Sequence, residues 1–206
     1  MQSDTSHINQ SVSENIPQEP VATGTGGVPV DVDEDALLMV AAAKDDQKAF
    51  EQLVLRHQQS LLNFFYRSGV YTDVEDLVQQ TFVRLYRYRA KYSPKAKFTT
   101  FLYLIARQVR VDEIRKRIRL QNLREKMSAE GKLTEPVTRE APYTGLSDDL
   151  QEALAKLSEA HREVVVLGML QEVPYPEIAE ILGIPVGTVK SRMFHALREL
   201  RLILEP

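Results

Sequence analysis

Lys190, Ser191 and Arg192 stand in a row, and Phe194, His195 and Arg198 follow within two turns of a helix pattern. These side chains are hydrogen-bond donors grouped around one flat apolar ring. Lysine and arginine reach guanine acceptors or phosphates, and a phenyl ring meets the methyl group of thymine. That is the chemistry of recognition, with no bond made or broken. The reactive alternatives are thin. Asp73, Glu75 and Asp76 could serve a metal-dependent nuclease, but they share the first turn of one helix pattern, where acids match the dipole and cap. No second carboxylate cluster, Gly-rich phosphate loop or nucleophile–base spacing accompanies them. The histidines at 7, 57, 161 and 195 lack ligand spacing, and the sequence has no cysteine for a thiolate site or a disulfide. No metal, cofactor or enzymatic activity is expected.

The donors need an element to hold them outward. In EIAEILGIPVGTVKSRMF (Glu177–Phe194), Ile178 and Leu182 face inward on a first helix, and small Ala179 lets a second helix approach. Gly183 suits a tight turn at positive φ, and Pro185 suits the turn or the first helical position. Val189 and Met193 hold the second helix down. Gly187 and Thr188 open that helix, where free N–H groups favour a phosphate. The pattern predicts a helix-turn-helix over about 175–194.

The rest of the chain reads as helix too. Over 35–119, Phe50, Leu53, Val54, Leu61, Leu62 and Phe65 keep helical spacing, and the pattern ends near Ser68-Gly69. TDVE (Thr72–Glu75) has the form of a capping box opening a helix with Leu77, Val78, Phe82 and Leu85 inward. A basic, aromatic loop, YRYRAKYSPKAKF (Tyr86–Phe98), leads into a helix from about Thr99 to Arg119. Aromatic rings among cations suit unstacked bases, each worth ~1–3 kcal/mol. Helical spacing alone leaves Phe101 and Tyr103 equally suited to the core. Residues 120–147, with Gly131, Pro136, Pro142 and Gly145, read as a flexible linker. Ser147 and Ser158 cap two further helices, with Val164, Val165, Leu167 and Met169 inside. Residues 1–34, rich in Ser, Gln, Thr, Gly and Pro, read as a disordered tail. The fold class is all-α: two small helical domains, 35–119 and 148–206, joined by the linker.

Charge is segregated within a net of −3. Residues 1–60 hold ten acids against Lys44, Lys48 and Arg56, whereas 84–126 hold fourteen Lys and Arg against Asp112, Glu113 and Glu125. The overall balance argues against a nonspecific nucleic-acid coat, and the local field argues for an anionic partner. No apolar run approaches the ~18 residues of a membrane span, and no secretory signal opens the chain, so a soluble cytoplasmic protein is expected.

Three stretches together, AFEQLVLRHQQSLLNF, DVEDLVQQTFVRLYRY and FTTFLYLIARQVRVDEIRKR, resemble region two of the extracytoplasmic-function sigma factors of bacterial RNA polymerase. Residues from Leu150 to Leu200 resemble their region four. Phe101 stands where the family has tryptophan, Gln108 where it has asparagine, and His195 and Leu197 where many members carry arginine. The resemblance implies that the helix at about 74–87 binds the polymerase core through Asp76, Gln79, Gln80 and Phe82. It implies that residues 88–119 recognise and melt the −10 promoter element. Lys91, Lys95, Lys97, Phe98, Thr99, Thr100, Phe101, Arg107, Arg110 and Arg115 are the residues concerned. It further implies duplex −35 recognition by Thr188, Lys190, Ser191, Arg192, Phe194, His195 and Arg198. The partners so implied are core RNA polymerase, promoter DNA as duplex and as melted single strand, and an anti-sigma factor. At ~3.4 Å per residue the linker reaches at most ~95 Å, enough for two DNA sites more than two helical turns apart. The rival reading is a polymerase-independent dimeric helix-turn-helix regulator, which leaves DLVQQTF and the basic aromatic loop without a role.

Overall fold

The computed structural model describes residues 33–94, 96–128 and 146–205. Most of the tail expected over 1–34 and of the linker expected over 120–147 lies outside them. Among the described residues all regular structure is helical: α1 (Glu34–Ala42), α2 (Gln47–Arg67), α3 (Val74–Tyr88), α4 (Phe98–Ser128), α5 (Asp148–Lys156), α6 (Glu159–Val165), α7 (Tyr175–Leu182) and α8 (Val186–Leu204). A 3-10 turn (Arg89–Lys91) follows α3, and a π-helical turn (Val166–Leu170) extends α6.

Helix starts are set by short polar side chains that accept from otherwise unpaired first-turn N–H groups. Asp33 caps α1, Asp46 caps α2, Ser147 caps α5 and Ser158 caps α6. The capping box expected at Thr72 does not form. Asp73 occupies the cap position in a left-handed conformation (φ 57°) with no side-chain cap bond, and the Thr72 carbonyl accepts from Arg117 Nη2 at 2.9 Å instead. α4 runs nine residues past the expected end at Arg119, to Ser128. Residues 120–128 are good helix formers with no glycine or proline, and Gln121 Nε2 donates to Glu125 Oε1 one turn on. Met169, expected inside, is 54% exposed. The π turn adds a residue to the helical repeat at that point and rotates Met169 out of the α-helical register.

The first block packs α2, α3 and α4 around Leu53, Leu61, Phe65, Leu77, Leu85, Leu102 and Ile105. The second packs α5, α6, α7 and α8 around Leu154, Val164, Leu167, Ile178, Val189 and Met193. Each such side chain contributes about 1.5–3 kcal/mol by leaving water. The two cores are not separate. α7 lies along α4, the π turn touches α2, and one apolar cluster runs through both halves. Gly69 (φ +84°) in the α2–α3 turn lets the second block in close: a Cβ there would lie 2.5 Å from Arg162 Nη1. Arg162 meanwhile closes α5 by donating to the carbonyls of Leu154, Ala155 and Leu157.

Candidate nucleic-acid interface

α7 and α8 build the helix-turn-helix as its apolar spacing requires. Val189, Met193, Ala196 and Leu200 are buried, which turns Lys190, Ser191, Phe194, His195 and Arg198 to solvent. Gly183 ends α7 at φ 66° with no atom within 4 Å of a built Cβ, so the backbone conformation, not crowding, requires glycine. Phe194 is 66% exposed, and His195 meets it edge-on with ring centroids 5.5 Å apart. Ser191 Oγ donates to the Thr188 carbonyl (3.1 Å), and Thr188 and Arg192 are half-buried. No carboxylate among the described residues pairs with Lys190, Arg192 or Arg198.

The basic residues of α4 are placed differently. Lys97 Nζ lies 3.6 Å from Glu177 Oε1, and Thr100 Oγ1 donates to Glu177 Oε2 at 2.8 Å. The Tyr103 hydroxyl donates to Gln171 Oε1 at 2.7 Å. Arg107 Nε donates to Glu163 Oε1 (3.1 Å), and Arg110 Nη2 donates to Glu159 Oε1 (2.9 Å) and to Glu163. Below them Arg67 Nη1 donates to the Leu170 carbonyl at 2.8 Å. The partners all belong to α6, the π turn and α7 or the segment between. Thr100 and Arg110 are therefore buried, with Arg110 only 3% exposed. Burial also pushes the Tyr103 phenol well above its ordinary range, against the opposing pull of Arg67. Burial pushes the Glu180 carboxyl of α7 up, and neighbouring Glu177 adds to the shift.

Phe98 is fully buried inside the first block, with the His57 ring 5.1 Å away. The first turn of α4 points the Phe98 ring down toward α2. Phe101 is half-buried, 5.4 Å from the Tyr92 ring. Tyr92 is itself pushed up to about 12 by burial and then by Asp33 and Asp35. Lys91 and Arg115 are exposed, Thr99 is half-buried, and Lys95 lies outside the described residues.

On the other side of the first block, α2 and α3 flank a groove of about 540 Å3 floored by Phe50, Val54, Val78 and Phe82. Gln79 lines it, as does Glu75; Asp76 and Gln80 are exposed on α3 outside its lining. Asp73 is the N-cap residue of α3, and Glu75 and Asp76 lie in its first turn. Among the described residues no group of three His, Asp or Glu could hold a metal ion. No described helix is long and apolar enough to cross a membrane.

Sequence reasoning missed the acids that meet α4. Glu159 and Glu163 lie one turn apart on α6, and Glu177 lies in the first turn of α7. The available signal was their helical spacing opposite a strongly basic segment.

The fold and its two outward surfaces define a two-part helical protein with a DNA-reading C-terminal motif. Residues 53–120 match the family model for sigma-70 region 2, and residues 147–200 match that for sigma-70 region 4. The ECF RNA polymerase sigma factor SigW of Bacillus subtilis is 33% identical over 168 residues, 77% of this chain and 90% of that protein. SigE of Mycolicibacterium smegmatis is 34% identical over 178 residues, 82% of this chain and 68% of that one. Among solved structures, CnrH in complex with the cytosolic domain of CnrY is 30% identical (TM-score 0.63), over 84% of this chain and 98% of that one. The sigma factor RpoE bound to the anti-sigma factor NepR, from Bartonella quintana, is 28% identical (TM-score 0.62), over 77% and 98%. The chain belongs to the extracytoplasmic-function RNA polymerase sigma factors, the initiation factors that bring polymerase to specific promoters.

Proposed function

We propose that the two DNA elements and the polymerase are met by three separate surfaces of this chain. The outward face of α8, with Lys190, Ser191, Arg192, Phe194, His195 and Arg198, reads the −35 duplex, and Thr188 at its start takes a phosphate. The groove between α2 and α3, rimmed by Gln79 with Asp76 and Gln80 beside it, receives the polymerase core; buried Phe82 forms its floor. The loop after α3 and the face of α4 handle the melted −10 strand through Lys91, Lys97, Thr99, Thr100, Phe101, Arg107, Arg110 and Arg115. Phe98 supports that surface from beneath. Catalysis belongs to the polymerase, and the setting is the cytoplasm.

The observation that carries this reading is the cationic face of α8, without a carboxylate partner among the described residues and in helix-turn-helix geometry, on a chain whose other half presents an apolar groove. The α4 surface is engaged by Glu159, Glu163 and Glu177 in the closed form described above. Its use on DNA requires the two halves to part. An anti-sigma factor, of the kind that holds the Bartonella quintana relative, would act by keeping them together or by covering the groove.

Run-off transcription with core polymerase on genomic fragments is the test. Discrete transcripts that need this chain support the reading, and their start points give both promoter elements. Absence of such transcripts, together with binding to a palindromic site, returns the dimeric regulator.

A further inference from the structure

We infer that Asp33 positions the −10 loop by capping two helices at once. Its Oδ1 accepts from the backbone N–H groups of Asp35 (3.1 Å) and Ala36 (3.2 Å), which starts α1. Its Oδ2 accepts from the backbone N–H of Phe98 at 2.6 Å, which starts α4 from 65 residues away. The first N–H groups of a helix have no partner within it. One carboxylate therefore satisfies donors of two helices and fixes their ends to each other. A charged acceptor makes such bonds short and strong.

The loop between Arg89 and Phe98 is tied to the flanks of α1 at both ends. Arg89 Nη2 donates to Asp45 Oδ1 at 2.7 Å, in the turn that follows α1. At the other end Asp33 holds Phe98, and Asp35 steadies the ring beneath: its Oδ2 is 2.8 Å from His57 Nε2, and that imidazole packs on Phe98. Thr99, Thr100 and Phe101 follow directly on the fixed amide. A shift at Phe98 would carry them with it. The acids that the sequence concentrates before residue 60 are thus partly a frame for the basic loop.

This inference rests on the reading that the loop and Thr99–Phe101 meet the melted strand. Asp33 touches no base in it; it acts through Phe98. A serine at 33 keeps a good N-cap for α1, but its single short hydroxyl cannot also span to Phe98. Asp33→Ser therefore removes the second bond selectively. The full chain, Asp33→Ser and Phe101→Ala are compared with core polymerase on a promoter fragment mapped by run-off transcription and on versions substituted at each base of its melted segment. Permanganate reactivity of unpaired thymines reads strand opening.

Asp33→Ser should cut discrimination among bases at one melted position by about tenfold, the factor one charge-assisted hydrogen bond carries. Its competition for core polymerase should stay close to that of the parent, and its thermal midpoint should fall only by the few degrees that one lost helix-end hydrogen bond costs. Unchanged discrimination in Asp33→Ser, with discrimination lost in Phe101→Ala, would overturn the inference and leave the −10 reading standing. A loss equal on all fragments, with no position at which discrimination changes, would make Asp33 an ordinary cap and also overturn it. No effect of either variant on any fragment would overturn the −10 reading and this inference with it.

Discussion

The basic faces of α4 and α8 carry similar side chains in opposite circumstances. On α4, Arg107 and Arg110 point at Glu163, and Thr100 points at Glu177, so the face is covered by the second half of the same chain. On α8, Lys190 and Arg198 stand in solvent with no carboxylate partner among the described residues, and Phe194 is two-thirds exposed. A surface that must meet an anion can be left bare or can be occupied until needed. A bare face keeps a solvated charge that costs the fold nothing. An occupied one is dehydrated, so its release has to be driven by whatever replaces the acids. The two faces should therefore respond to mutation in different ways: α4 through stability and domain separation, α8 through DNA affinity alone.

The largest effect is expected where the comparison is sharpest. Glu163→Ala removes one partner of a pair in which Arg110 is 3% and Glu163 12% exposed. Deleting half of such a pair costs about 3–5 kcal/mol if the remaining charge stays buried and unpaired, and Glu159 still accepts from Arg110 here. Here the seam offers an escape, because parting the halves returns Arg110 to water. Urea unfolding should show a loss smaller than that range, together with a longer distance between spin labels on α2 and α8. A full loss with no change in label distance would mean the halves do not part. Lys190→Ala, by contrast, should leave the urea midpoint within about 0.5 kcal/mol of the parent, as surface changes do.

Arg192→Ala comes next. A base contact predicts a loss of ~1–3 kcal/mol in −35 binding that depends on the base opposite it. Titration of duplexes substituted along the −35 element would show it. A loss equal for every sequence would make Arg192 a phosphate contact, and its half-buried position allows either.

Gly183→Ala is smaller and tests the frame, not the surface. With open space around a Cβ but φ at 66°, the substitution costs about 1–2 kcal/mol of backbone strain. Thermal unfolding should register that amount. A larger loss would mean α7 and α8 need the glycine for packing as well.

The same contrast explains what could be read in the sequence. The outward residues of α8 follow from its inward ones: once Val189, Met193, Ala196 and Leu200 are placed in the core, the rest of the helix has nowhere to face but water. That inference uses one helix and its own period. The fate of α4's cations depends on α6 and α7, more than 45 residues away, and no periodicity within α4 encodes it. The burial of Phe98 is of the same kind: it depends on the His57 ring of α2 and the Asp33 carboxylate before α1, which its place beside the loop does not announce. The expected capping box that does not form and the exposed Met169 are local failures. A left-handed Asp73 and a π turn are both conformations that α-helical spacing cannot announce.

The smallest expected effect lies on α7, next to a seam residue, and concerns pH. Glu180 has its folded-state pKa raised, first by burial and then by Glu177. A raised acid favours the folded state fully below the ordinary glutamate pKa of about 4.3. That contribution is lost as pH climbs through the raised value, because the charged form is harder to hold in the fold than in the unfolded chain. Glu180→Gln removes the penalty. The variant should gain urea stability over the parent at pH 7, with the gain shrinking as pH falls toward 4. A gain independent of pH would point to packing, and a loss at pH 7 would mean that Glu180 is stabilised as a charge. Because Glu177 is held on α4 by Thr100 and Lys97, the gain should also shrink in a Glu163→Ala background, where parting the halves returns the Glu177 carboxylate to water and weakens its push on Glu180. Equal gains in both backgrounds would mean that this pair is insulated from the seam, and that the covered face of α4 owes its state to the Arg110 contacts alone.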